Sequence, residues 1–174
     1  MVLKRKKELF GGINPFEMTA TYIAIDSRSP LNENDDHIHN ECEIYINLSG
    51  DVSFAVENSV YPVMPGGIII TRPLEYHHCI YHTNKLHKHF WILLSVAGNE
   101  RLFDIFYKRE LGNNNLLMLP ADKTEELFSL CHRLTDGCED EARASVPPSL
   151  KENLLLFFKK SINQVSFLQS VFLR

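Results

Sequence analysis

His37-Ile38-His39 and Glu43 are the first residues of the chain whose types and spacing carry chemistry. In an extended strand residues two apart face one side, so His37, His39 and Glu43 share a wall while Ile44, Ile46 and Leu48 face away. Two imidazoles and a carboxylate on one wall form a facial ligand set for a divalent ion. A further ligand has to come from another strand, and His77 answers that need, with Cys79 and Tyr81 at the same parity. Three nitrogens and one carboxylate from His37, His39, His77 and Glu43 suit Zn, Ni, Mn or Fe, with positions left open for water or a ligand. The same groups equally serve as polar contacts in a pocket that binds no ion. Seven of the eight histidines fall between positions 37 and 89. Of these, His78 and His82 have the opposite parity to His77 and read as surface residues. His87 and the distant His132 have no assigned role.

The elements that position these side chains are short strands. Ala20 to Asp26, Cys42 to Ser49, Val52 to Glu57, Val60 to Met64, Gly67 to Thr71, Tyr76 to Tyr81 and Lys88 to Val96 are rich in β-branched and aromatic residues. Gly50, Asn58-Ser59 and Pro65-Gly66-Gly67 punctuate them. Many short strands at this spacing predict a mainly β sandwich or barrel. Beyond Asn99 the chain reads as helices. The first runs from Asn99 to Glu110 and ends at Gly112-Asn113-Asn114-Asn115. The second starts near Asp122, with Glu125 at the capping-box spacing, and reaches about Gly137. The third opens after Pro147-Pro148, with Ser149 and Glu152 again at that spacing, and continues to Arg174. Residues 1–98 are thus expected to form a β-barrel with an N-terminal arm, and residues 99–174 a helical extension.

The last segment carries Leu150, Leu154, Phe157, Phe158, Ile162 and Val165 at spacings of three and four. Such a stripe either covers the barrel or pairs with its copy in a second subunit. Leu155, Leu156, Val171 and Leu173 widen the face beyond what one barrel flank needs to cover, which points to a homodimer.

Composition narrows the classes. A chain of 174 residues, 44% hydrophobic and 23% charged, suits one compact domain or a barrel with an attachment, and argues against disorder or a membrane-inserted protein. The net charge of −4 leaves no basic surplus for a phosphate backbone, so DNA binding by this polypeptide alone is not expected. Cys42, Cys79, Cys131 and Cys138 form no C-x-x-C pair, and a reduced, cytoplasmic setting is expected. The opening MVLKRKKELFGG lacks the apolar stretch of a signal peptide.

His37-x-His39-x3-Glu43-x6-Gly50 resembles the first motif of the cupin superfamily, with Leu31 where that motif opens on Gly. The second motif is matched at Gly66 and His77, whereas Arg72, Leu74 and Tyr81 stand at its Pro, Gly and Asn. The resemblance implies a cupin-type barrel, a double-stranded β-helix or jelly roll, followed here by the C-terminal α-helices. Within that superfamily the order of features resembles the N-terminal effector-binding and dimerisation domain of AraC-type transcription regulators. The carrying residues are His39, Glu43, Leu48-Ser49-Gly50, Pro65-Gly66, Pro73 to His78 and His89-Phe90-Trp91. That family's helix-turn-helix domain has no counterpart in this sequence, so the resemblance implies the sensory half of a longer regulator. His89, Trp91 and Cys79 match positions that line the sugar pocket of an arabinose-responsive member.

The expected effector-binding residues are His39, Glu43, Tyr45, His77, Cys79, His89 and Trp91. Trp91 either fills the core or offers a flat surface to a ligand ring. The leading expectation is a non-enzymatic sensor of a small polar molecule such as a sugar. The alternative is a metal-dependent isomerase or dioxygenase using His37, His39, Glu43 and His77.

Overall fold

The computed structural model describes residues 7–8, 16–25, 38–83, 86–95, 104–135, 143–145 and 157. Its centre is β3, Cys42–Ser49, where Glu, Tyr and Asn alternate with Cys and Ile and both faces are buried through Asn47. β3 lies between β6, Ile68–Thr71, and β8, His87–Ser95, antiparallel to both. Ile44 stands opposite Ile70 and Ile92, and Tyr45 opposite Ile69 and Trp91. One face of the sheet is therefore a buried apolar layer of Cys42, Ile44, Ile46, Ile68, Ile70, Phe90, Ile92 and Leu94. Each large side chain in it contributes about 1.5–3 kcal/mol on burial. The Cys42 thiol lies 3.5 Å from the Tyr107 hydroxyl, which sets helix α1, Asp104–Tyr107, against this face.

The sheet continues through β2, Phe16–Ile25, to β1, Lys7–Glu8, and on its other side to β9, Leu116–Leu117; β10, Arg143–Ser145, also pairs with β2. A three-stranded sheet, in the order β5 (Ser59–Val63), β4 (Val52–Val56), β7 (His77–Tyr81), faces it. Between the two, Tyr45 and Ile69 of the first sheet pack with Val52, Phe54, Val56 and Val63 of the second, joined by Cys79, Tyr81 and Leu116. The expected mainly β architecture holds. No described helix is long and apolar enough to cross a membrane.

Three differences from the sequence reading have physical causes. The described part of the first helix stops at Tyr107, short of Glu110, because Arg109 turns inward to Glu75 and Gly112 packs against Val56 and Glu57. Gly112 has φ +70, and a Cβ there would lie 2.9 Å from Glu57 Cβ. Leu116 and Leu117 add a strand to β6, where a purely helical extension was expected; Asn115 guides them in by exchanging bonds with Ile70. β2 begins at Phe16, ahead of Ala20, because its register with β8 carries on to Glu17 opposite Ser95. α2, Ala121–Thr135, agrees with the expected second helix. Of the third, only Phe157 is described; it is helical and buried within this chain. Leu150, Leu154, Phe158, Ile162 and Val165 lie outside the described residues.

Candidate functional site

β3 and β7 bring one polar group together. His39 precedes β3, Glu43 is its second residue and His77 opens β7. Glu43 Oε2 lies 2.9 Å from His39 Nε2 and 3.1 Å from His77 Nε2. The two imidazoles meet edge to face with centroids 5.0 Å apart. Glu43 and His77 are buried, and His39 is partly accessible. Burial alone would raise the Glu43 pKa, but the hydrogen bonds from His39 and His77 outweigh it and hold the carboxyl at about 2. Burial likewise pulls the His77 pKa down, and the Glu43 contact overrides it to give a net rise.

The tautomer of His77 is constrained. Its Nδ1 lies 2.7 Å from the Glu75 carbonyl, which only accepts, so Nδ1 carries a proton. In a neutral ring Nε2 would then point a lone pair at the Glu43 carboxylate. The 3.1 Å contact thus calls for a proton or a cation at Nε2. One ligand atom from each of His39, Glu43 and His77 falls within 4.8 Å of the others, so this two-nitrogen, one-carboxylate set fits a divalent ion. His37, the fourth expected ligand, lies outside the described residues.

The other expected pocket residues share the interior face. Tyr45 is buried, its ring 4.9 Å from Phe54 and 4.8 Å from His89. The Cys79 thiol, 3.8 Å from the Tyr45 hydroxyl, has its pKa pushed up to about 11 by burial, so it is no ready thiolate. His89 is pushed down to about 3 by burial and is neutral. Trp91, half-buried, stands beside Tyr45 across the strand pair. His82 is exposed, as its parity implies, and His78 is half-buried on the outward face of β7.

Sequence reasoning missed three features. His87 is fully buried at the start of β8. Asn47 is fully buried four residues beyond Glu43 on the same face. Glu75 and Arg109 form a buried ion pair whose 34-residue separation follows no spacing rule, so no sequence signal would have found it. His77 takes its orientation from the backbone of that same Glu75.

Leu74 stands where the motif has glycine, and its φ is +63. Its N–H holds the His39 carbonyl at 2.9 Å, so the left-handed turn helps carry His39 to the site, at the expense of strain in a leucine. The side chain is 64% exposed and adds little packing. Leu74→Asn, which tolerates this conformation, is expected to raise stability by about 1 kcal/mol, read as a higher urea midpoint. An unchanged or lower midpoint would show that the turn is not strained.

No curated protein matches the sequence. Among solved structures, similarities include a cupin 2 conserved barrel domain protein from Salinispora arenicola, at 20% identity and TM-score 0.41, over 62% of this chain and 82% of that one. AerE from Microcystis aeruginosa is similar at 14% identity and TM-score 0.45, over 67% of this chain and 52% of its own. Apo ToxT from Vibrio cholerae is similar at 8% identity and TM-score 0.47, over 83% of this chain and 53% of its own. The profile of the AraC-like ligand binding domain matches residues 21–158, most of the chain, and the chain belongs to that family.

Proposed function

We propose that this chain is the sensing half of a cytoplasmic transcription regulator that binds a small polar metabolite, of sugar type, between its two sheets. The observation that carries the reading is the single interior face on which the His39–Glu43–His77 group continues into Tyr45, Cys79, His89 and Trp91. The polar group anchors one end of a ligand, and the aromatic wall covers an apolar ring face. Binding favours the arrangement of sheets and helices that contacts the ligand best, and that preference is what a partner domain reads. In this proposal DNA contact falls to a separate helix-turn-helix domain. Homodimerisation falls to the stripe of Leu150, Leu154, Phe158, Ile162 and Val165, with Phe157 turned to its own chain. Trp91 is the sole tryptophan. Titration with sugars and small hydroxy acids is expected to change its emission saturably, and His89→Phe to abolish that change; a panel without any saturable response counts against a sugar-type effector.

The His39–Glu43–His77 geometry favours a second reading, a metal-dependent isomerase or dioxygenase. These three residues would hold the ion, Zn, Ni, Mn or Fe, which when bound would polarise a substrate oxygen or activate dioxygen. Elemental analysis of protein purified without chelator or nickel resin is the discriminating measurement. Stoichiometric metal that Glu43→Gln removes supports this reading, and metal far below one per chain ends it.

A further inference from the structure

Three buried side chains cluster at the end of the interior where β3 turns into β4. Asn47 and His87 are fully buried and His89 is 3% exposed. Asn47 stands directly opposite His89 across the β3–β8 pair. Asn47 and His87 both adjoin Gly50. Asn47 Nδ2 donates to the Gly50 carbonyl at 3.3 Å, and a Cβ on Gly50 would fall 2.1 Å from His87 Nδ1. Gly50 has φ +113, so glycine serves both the turn and the close approach of this ring. The Tyr81 ring adjoins both imidazoles, with centroids 4.9 Å from His87 and 6.4 Å from His89.

Donor and acceptor roles here are set by neighbours. Asn47 Nδ2 faces two carbonyls, Val63 at 2.7 Å and Gly50 at 3.3 Å, which orients the amide and leaves Oδ1 as an acceptor. His87 Nε2 lies 2.8 Å from the Thr83 carbonyl, so Nε2 carries the proton and Nδ1 of the neutral ring presents a lone pair. Among the described residues no donor reaches Asn47 Oδ1 or His87 Nδ1, and His89 Nδ1 is equally without a partner. Buried polar atoms are nearly always satisfied, so two acceptors that both flank Gly50 and that no described residue satisfies call for donors from elsewhere.

We propose that Asn47, His87 and His89 form a second polar subsite of the interior, one that takes a ligand group rich in hydrogen-bond donors, such as a vicinal diol or a primary ammonium. The rise of a strand puts Asn47 about 13 Å from Glu43, so this subsite is distinct from the His39–Glu43–His77 group. His89 adds a further ring nitrogen, Nδ1, that has no partner among the described residues. The inference rests on the sensing reading only for the presence of a ligand.

The test reads the ring nitrogens of the histidines and the Asn47 amide by long-range proton–nitrogen NMR on the whole chain. Three probes are titrated: ethane-1,2-diol, ethylammonium chloride, and 1,2-dimethoxyethane, which keeps the diol skeleton without its donors. The expected result is a saturable shift of His87 Nδ1 and the Asn47 amide with the diol, the ammonium or both, and none with the ether. A response to the diol alone assigns a hydroxylated ligand, and to the ammonium alone an amine. Equal response to all three probes, or to none, overturns the proposal. So does a slowly exchanging water at His87 that no probe displaces, which makes this a structural water site. Shifts confined to His39 and His77 also overturn it while leaving the sensing reading intact. That reading has its own readout at Trp91 and fails separately.

Discussion

Arg109→Met is expected to destabilise the fold by about 3–5 kcal/mol, because it strands a carboxylate that cannot reach water. Glu75 is fully buried, and its oxygens accept from Arg109 Nη1 at 2.6 Å, from Arg109 Nη2, from the Arg72 N–H at 3.0 Å and from the Gly112 N–H at 2.8 Å. Burial by itself would raise the Glu75 pKa, and these bonds reverse that to a net lowering. Arg109 also caps the Ile70 carbonyl at 3.3 Å. Methionine keeps much of the side-chain volume and removes every charge-assisted donor, leaving two backbone N–H groups to hold the ion. Glu75→Gln combined with Arg109→Met is expected to be more stable than Arg109→Met alone, since the buried charge is gone. Denaturant unfolding of the parent and the two variants is the measurement. A loss below about 1 kcal/mol for Arg109→Met would mean that solvent reaches Glu75. Because the Glu75 carbonyl sets the Nδ1 proton of His77, the same variant is also expected to loosen the His39–Glu43–His77 group.

Acid is expected to destabilise this protein from pH 6.5 downward, with His89 the first cause. Its pKa is about 3 folded, against 6.5 for the free side chain, because burial disfavours the charged ring. Below pH 6.5 the unfolded chain takes up a proton that the folded chain refuses. Stability therefore falls by up to about 1.4 kcal/mol per pH unit, a loss of about 5 kcal/mol if the window runs to pH 3. Glu43 joins below pH 4.5. Its carboxyl is held at about 2 when folded, so the stability it contributes is present above 4.5 and lost as pH falls toward 2. His77 acts at the opposite end, because its raised pKa stabilises the fold at low pH and that contribution fades as pH rises through the folded value. His89→Phe keeps a ring beside Tyr45 and has no proton to refuse. Unfolding free energies at pH 7, 6 and 5 are expected to slope steeply in the parent and to flatten in the variant. Equal slopes in both would show that His89 is not the group responsible.

Much of the fold was legible because strand patterns are local. CEIYINLS over Cys42–Ser49 was readable to the residue, with β-branched and aromatic side chains at the right parity and Gly50 after it. The facing of Glu43, Tyr45, His77, Cys79, His89 and Trp91 followed from period-two alternation alone. The short β9 was not legible, since Leu116 and Leu117 extend only because Ile68 and Ile69 offer an edge to pair with. Leu74 was visible as a departure from a glycine position, and the strain in it was not, because φ belongs to the folded backbone.

By itself the sequence determined the class of fold, the main strands from β2 to β8, the face their side chains take and the family. Tertiary structure decided which of those side chains meet. Parity specifies a face but not a height along a strand, and only the pairing register sets height. Register therefore separated residues that sequence placed in one cluster: His39, Glu43 and His77 converge around one carboxylate oxygen, while His87 and His89 sit with Asn47 at the far end. The folding of the loops around the strands joined Glu75 to Arg109, a pair that local patterning has no means to connect because the chain between them must first fold.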